Sequence, residues 1–332
     1  MDPSTRQRID EAAIALRRSL AQTVPATEDL AAEAKALSEA YRSGGPAPEL
    51  DDPGAVRAYA ASRMPATFAA AARAFVAAAD RAPAFGPESL LDAGGGTGST
   101  AWAARAVWPS IRAIGLVDRS GPAIDLGRRL AAASGDVPLA GAAWRLSPLA
   151  DHAPADLVTA GYVLGELPAE IVATVIDDLW AATGGLLVIV EPGSRAGFAT
   201  VLAARERLLA AGARIVAPCP GPEPCPVAAS RATWCHFLAR LERSPAHRRA
   251  KGATRSWEDE PFSYVAVARP EVVADPRPRV VLGRPRHHPG RVELRICADG
   301  RIETRVVSRR EGPVYRAARD LAWGDAITMS GD

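Results

Sequence analysis

Cysteine, lysine and aromatic residues are all scarce in this chain. Its four cysteines in 332 residues, Cys219, Cys225, Cys235 and Cys297, are too few for the disulfide framework of a small secreted domain. In a reducing compartment, cysteines this sparse are either buried and inert or gathered on a metal. Lysine occurs only at Lys35 and Lys251, so any basic surface rests on arginine. No uncharged apolar run approaches the roughly 18 residues of a membrane-crossing helix. The opening MDPSTRQRIDEAA alternates charges and lacks the apolar stretch of a signal peptide, and the expectation is a cytoplasmic protein without a membrane partner. At 48% hydrophobic and 23% charged residues, the composition excludes disordered, collagen-like and coiled-coil classes. The length suits two domains or one enlarged domain with a full core.

Net charge is only +2, but it is unevenly spread. Residues 231–310 hold 18 basic and 9 acidic residues, a local balance of +9 that leaves −7 for the remainder. Such asymmetry fits a basic face for a polyanion on an acidic body. Composition alone fits equally well an arginine-rich chain whose charges are merely solvated.

The first 85 residues read as helical. Apolar residues recur at three- and four-residue spacing over 6–20 and 28–41, and an alanine-rich helix over 55–79 is bent or interrupted near Pro65. From Ser89 onward, short apolar runs near 89–93, 111–117, 143–146, 156–160, 185–190 and 214–217 alternate with helical segments near 99–107, 122–133, 168–182 and 195–211. Strand–helix repetition of this kind predicts an α/β protein with a parallel sheet covered on both faces. A domain over 86–275 is expected, with a cysteine-bearing insertion at 218–261 before a strand at 262–269. The tail, 276–332, predicts a small β unit with a turn at Ala298-Asp299-Gly300 and a last helix after Pro313.

LLDAGGGTGSTAWAA is strand, glycine turn and helix. Ser99 stands where the dinucleotide fingerprint needs its third glycine, which argues against a nicotinamide site. Asp92 ends the first strand, and Asp118 ends the second in IGLVD, where a carboxylate can accept ribose hydroxyls. Together these residues resemble the S-adenosylmethionine site of class I methyltransferases. That resemblance implies cofactor-binding roles for Asp92, Gly94, Gly95, Gly96, Gly98 and Asp118. The place after the fourth strand reads DLVTAGYVLGELP. It has neither the Asn/Asp-Pro-Pro-aromatic turn of amino-methylating nucleic-acid enzymes nor a cysteine nucleophile. Tyr162 and Glu166 are the polar groups there, and Glu166 is as readily a cap for the next helix.

Prolines follow Cys219 and Cys225 in APCPGPEPCP, Cys235 stands in TWCHF, and Cys297 lies on a tail strand. Four thiolates are the ligand count of either Zn²⁺ or an iron–sulfur cluster, and the spacing matches no standard pattern for either. The segments LVIVEPGSRAGF, IVAPCPGPEPCP, TWCHFLARLERSPAHRRAKG and EDEPFSYVAVAR resemble the methyltransferase-like assembly factors of the small ribosomal subunit, bacterial and mitochondrial. The similarity runs from about residue 90 to 307. It implies a [4Fe-4S] cluster on Cys219, Cys225, Cys235 and Cys297, with zinc as the alternative. It also implies a monomer that binds S-adenosylmethionine and the ribosomal RNA of the assembling small subunit, and it leaves methyl transfer to rRNA or ribosomal protein open. On this reading Arg240, Arg243, His247, Arg248, Arg249 and Lys251, flanked by Trp234 and Trp257, neutralise phosphates while a tryptophan stacks on an unpaired base. The competing reading pairs these charges internally with Glu258, Asp259 and Glu260.

Overall fold

A computed structural model describes residues 1–24, 51–149, 152–230, 232–243, 254–274 and 279–327, together with Leu30, Ala32, Glu33 and Arg248. The chain opens with helices α1 (Pro3–Thr23), α2 (Pro53–Ser62) and α3 (Met64–Arg81). Asp2 and Asp52 accept the N–H groups of Thr5 and Ala55, and a proline occupies the first turn of each capped helix. The aspartate satisfies a donor that the helix leaves orphaned, and the proline removes another. The alanine-rich stretch breaks at Arg63, because Pro65 is accommodated in a first turn and not in a helix interior. The helix expected over 28–41 falls almost wholly outside the described residues.

From residue 89 the expected alternation is found. The elements run β1 (Ser89–Ala93), α4 (Ser99–Val107), β2 (Ala113–Asp118), α5 (Gly121–Ala132), α6 (Val137–Ala140), β3 (Ala143–Leu146), β4 (Ala155–Gly161), α7 (Ala169–Ala181), β5 (Thr183–Pro192), α8 (Arg195–Ala210) and β6 (Arg214–Ala217). Strands β3-β2-β1-β4-β5 are parallel. Beyond them β8 (Trp257–Ala268) lies antiparallel between β5 and β6, and β7 (Phe237–Glu242) pairs with its first half. This is a class I methyltransferase-like sheet. The chain leaves β1 outward to β2 and β3, then returns to β4 on the other side. A crevice therefore opens at the carboxyl ends of β1 and β4, where open α/β sheets bind ligands.

The 218–261 segment is less of an insertion than expected. Phe237, Ala239 and Leu241 are buried while Arg240 and Glu242 are exposed, the period of two of a half-buried strand. Its arginines obscured that alternation, and β8 begins five residues earlier than the apolar run FSYVAVAR suggests. The helical N-terminus shares one continuous core with the sheet, through Leu16, Phe68, Phe75, Trp102, Leu126 and Phe262. The opposite face is packed by α7 and α8 through Ile176, Leu179 and Leu208.

A separate small core, including Val292, Leu294, Ile296 and Val307, belongs to the tail. Its strands are β9 (Arg279–Val281), β10 (Arg286–His288), β11 (Arg291–Ala298), β12 (Arg301–Ser308) and β13 (Ala326–Ile327), with helix α9 (Pro313–Asp320). Asp299 and Gly300 both have positive φ between Ala298 and Arg301, the two-residue hairpin foreseen at that turn.

Helix α5 approaches the glycine loop closely because Gly127 has no side chain. A Cβ there would lie 2.4 Å from the Trp144 ring and 3.2 Å from the backbone of Thr97. Gly127→Ala should therefore lower the melting temperature by several degrees and shift Trp144 fluorescence. Open space would instead let alanine raise stability by about 1 kcal/mol through helix propensity.

Candidate cofactor loop and cysteine chamber

The glycine loop joins β1 to α4, and its residues divide by what they face. Gly94 (φ +67°), Gly96 (φ +52°) and Gly98 (φ +89°) take left-handed backbone conformations, which cost a residue with a Cβ about 1–2 kcal/mol. Added Cβ atoms would strike Val163 at Gly94, Leu116 and Asp92 at Gly95, and Trp144 at Gly98. At Gly96 only Asp118 Oδ2 lies near, at 3.9 Å. Gly94 and Gly98 are thus required by packing, Gly95 is tightly enclosed, and Gly96 presents open backbone to the crevice.

Asp118 accepts the N–H of Gly96 through Oδ2 and that of Ser120 through Oδ1, both at 2.8 Å. It ties the tip of β2 to the loop and keeps lone pairs free for hydroxyl groups. Asp92 differs from the sequence expectation. It is completely buried and accepts the Thr159 hydroxyl at 2.8 Å across the β1–β4 pair, so it supports the loop from beneath without reaching the crevice. Burial pushes its carboxyl up to about 7, since the charged form is poorly solvated there.

At the acceptor edge of the crevice, Tyr162 follows β4 with φ +61°. Its hydroxyl donates to Glu260 at 3.4 Å, and Glu260 pairs with Arg63 at 2.7 Å. Burial raises the Tyr162 phenol well above its usual range. Glu191, unremarked in the sequence, is buried at the end of β5, is pushed up to about 8 by burial and accepts the Leu164 N–H at 2.9 Å. Glu166 is exposed, and the cap position of α7 is held by Pro168, which supplies no side-chain hydrogen bond.

The four cysteines, all free thiols, line one chamber with Pro218, Pro224, Val280 and Leu282. Cys297 arrives from β11 and Cys235 from the residue pair before β7, where its carbonyl accepts the Ser263 hydroxyl at 2.9 Å. Burial, followed by the neighbouring cysteines, raises the thiols of Cys235 and Cys297, the latter to about 12. Cys219 is raised by burial against the opposing pull of Arg205.

Arg205, also missed in the sequence, is 3% exposed and reaches from α8 into the Cys-Pro loop. It donates to the carbonyls of Gly221 at 3.0 Å and Glu223 at 2.6 Å. The helical pattern of ARERLL carries no mark that separates this inward arginine from its solvated neighbours. Among the described residues, no three cysteine, histidine or carboxylate side chains are grouped to hold a single metal ion.

The basic segment is the other difference. Arg240 pairs with Asp259 through two hydrogen bonds of 2.8 and 3.0 Å and lies 4.1 Å over the Trp257 ring. Arg243 is held by Glu258. The internal pairing weighed against RNA contact is the arrangement of these two arginines. Arg248 is half-buried; His247, Arg249 and Lys251 lie outside the described residues.

Asp92 carries a pH signature. Its folded pKa lies above the unfolded value, so its contribution to stability is full below about pH 4 and lost as pH rises through about 7. Asp92→Asn should flatten the fall in melting temperature between pH 5 and 8, by an amount equivalent to a few kcal/mol at most. An unchanged pH slope in that variant would contradict a buried acid at this position.

Residues 53–328 match the family described as "Mitochondrial small ribosomal subunit Rsm22". The human "Ribosome assembly protein METTL17, mitochondrial" is 35% identical over 294 residues, which cover 82% of this chain and 62% of the relative. "Rsm22-cox11 tandem protein 2, mitochondrial" of Schizosaccharomyces pombe is 27% identical over 296 residues, 74% of this chain and 39% of that protein. The chain therefore spans 62% and 39% of these two relatives' lengths. Among solved structures, the magnesium protoporphyrin IX methyltransferase of Synechocystis PCC 6803 is similar at 18% identity and a TM-score of 0.36, over 58% of this chain and 74% of that one. With the matched span taking in the glycine loop and all four cysteines, this chain belongs to the Rsm22 family of the mitochondrial small ribosomal subunit.

Proposed function

We propose that this chain is an assembly factor of the small ribosomal subunit that binds its ribosomal RNA. In this reading a methyltransferase fold holds S-adenosylmethionine, and a [4Fe-4S] cluster on Cys219, Cys225, Cys235 and Cys297 braces the RNA-binding part. The observation that carries the proposal is the meeting of four cysteines from three separate segments in one chamber, in a chain akin to a ribosome assembly protein. A single tetrahedral zinc needs every sulfur about 2.3 Å from one centre. A cubane distributes its thiolates over four irons, and the four cysteines lining one chamber meet its ligand count. Arg205 supplies a buried cation beside Cys219, which favours thiolate over thiol.

For S-adenosylmethionine, the open backbone of Gly96 and the carboxylate of Asp118 are the fitting groups. When bound, that cofactor supplies an electrophilic methyl group on a sulfonium. Of the polar groups described at the acceptor edge, Tyr162 is engaged by Glu260 and Glu191 by the Leu164 backbone. The proposal is accordingly a binding fold and not an active methyltransferase.

Anaerobically purified protein should be brown and hold about four irons with matching sulfide per chain. Cys297→Ser should lose the colour, and Arg205→Met should lower iron occupancy at least severalfold. Colourless protein with stoichiometric zinc would overturn the cluster and keep the four-thiolate site. Crosslinking in cells should recover small-subunit rRNA; recovery at background level would end the assembly reading. Calorimetric titration with S-adenosylmethionine should show binding that Gly96→Val or Asp118→Ala weakens at least tenfold. Labelled methyl transfer to assembling subunits, abolished by the same variants, would replace the non-catalytic reading with an enzymatic one.

A further inference from the structure

The small tail sheet has two faces, and its own core covers only one of them. Val292, Leu294 and Ile296 of β11 point into that core, so the pleat turns Arg291, Glu293, Arg295 and Cys297 to the other side. At its Cys297 end this outer face closes the cysteine chamber beside Val280 and Leu282. Past Cys297 the row opens to solvent, and Arg291 and Arg295 are exposed.

Neighbouring strands extend the same character. Across from Glu293 and Arg291, β10 contributes Arg286 and His288. On the other side, β12 places Ser308, Val306 and Thr304 opposite Arg291, Glu293 and Arg295, a row without charge in which Val306 is 52% exposed. Among the described residues of these three strands, the acid on this face is Glu293, engaged by Arg286 at 3.0 Å. Among the described residues, Arg291 and Arg295 have no carboxylate partner. This contrasts with Arg240 and Arg243 in the same basic stretch of sequence, which Asp259 and Glu258 neutralise.

We propose that this outer face of β10, β11 and β12 is the surface that takes the RNA phosphate backbone. The inference rests on the rRNA-binding reading above and moves the contact from the 240–251 segment to the tail sheet. Guanidinium groups bind phosphate oxygens in paired hydrogen bonds, and such contacts fix register on the nucleic acid without reading its sequence. Arg291 and Arg295 stand four residues apart on one strand, about 14 Å, so they engage separate phosphates. The uncharged β12 row gives sugars and bases a shelf with no acid to repel them. The thiolate chamber at the Cys297 end holds the sheet against the body, so the cationic row keeps a fixed orientation.

The full chain, purified anaerobically, would be titrated with a fluorescein-labelled transcript of small-subunit rRNA across a salt series. Two variants serve: R291Q/R295Q, and R286Q/R291Q, which lies farther from the thiols. Each should weaken binding about tenfold near 0.15 M salt and reduce the slope of log K against log salt by about 1.5. Iron content and melting temperature should stay at wild-type values. Wild-type affinity and slope in both variants would overturn this proposal while the RNA-binding reading stands. No RNA binding by the unmodified protein would sink that reading, and this proposal with it. Unchanged binding to the transcript, with lost binding to isolated small subunits, would assign the face to an acidic protein and overturn it as well.

Discussion

Strand β8 is the constraint on which the rest of the molecule depends. It runs antiparallel between β5 and β6, and its first half carries β7. Through this one strand, Glu260 reaches Arg63 and Tyr162 at the acceptor edge, while Ser263 holds the carbonyl of Cys235. Cofactor crevice and cysteine chamber are therefore attached to the same rigid element, three residues apart. An antiparallel strand at this place also lets the chain reverse and deliver its tail to the edge where the Cys-Pro loop waits.

Burial of polar groups repeats across the structure, and three of the buried charged side chains have hydrogen-bond partners close at hand. Asp92 has Thr159, Glu191 has the Leu164 backbone, and Arg205 has two carbonyls of the Cys-Pro loop. Removing one member of such an arrangement leaves its partner desolvated, which costs about 1–3 kcal/mol or more for a charged group. These groups tie the loop and the chamber to the sheet beneath them.

The glycines show how a motif can be right in place and partly wrong in role. Strand, turn and helix follow directly from the apolar run, the positive-φ glycines and the helix period. Yet Gly94, Gly95 and Gly98 are small because Val163, Leu116 and Trp144 press on them, and only Gly96 faces the crevice. The same holds for the basic stretch: a charge count registers Arg240 and Arg295 alike, although the first is matched across a hairpin and the second is not.

Local order was within the reach of the sequence alone: the strand–helix alternation, the proline-led helix starts, the Asp299-Gly300 turn and the carboxylates at the tips of β1 and β2. Each depends on neighbours within a few positions, where periodicity and backbone preference act directly. The tertiary structure alone decided that Asp92 lies under its loop, that Arg205 turns inward and that β7 is a strand. Those outcomes depend on which distant surface covers a residue, and burial sets the cost of a charge or the freedom of a thiol only after the chain has closed on itself.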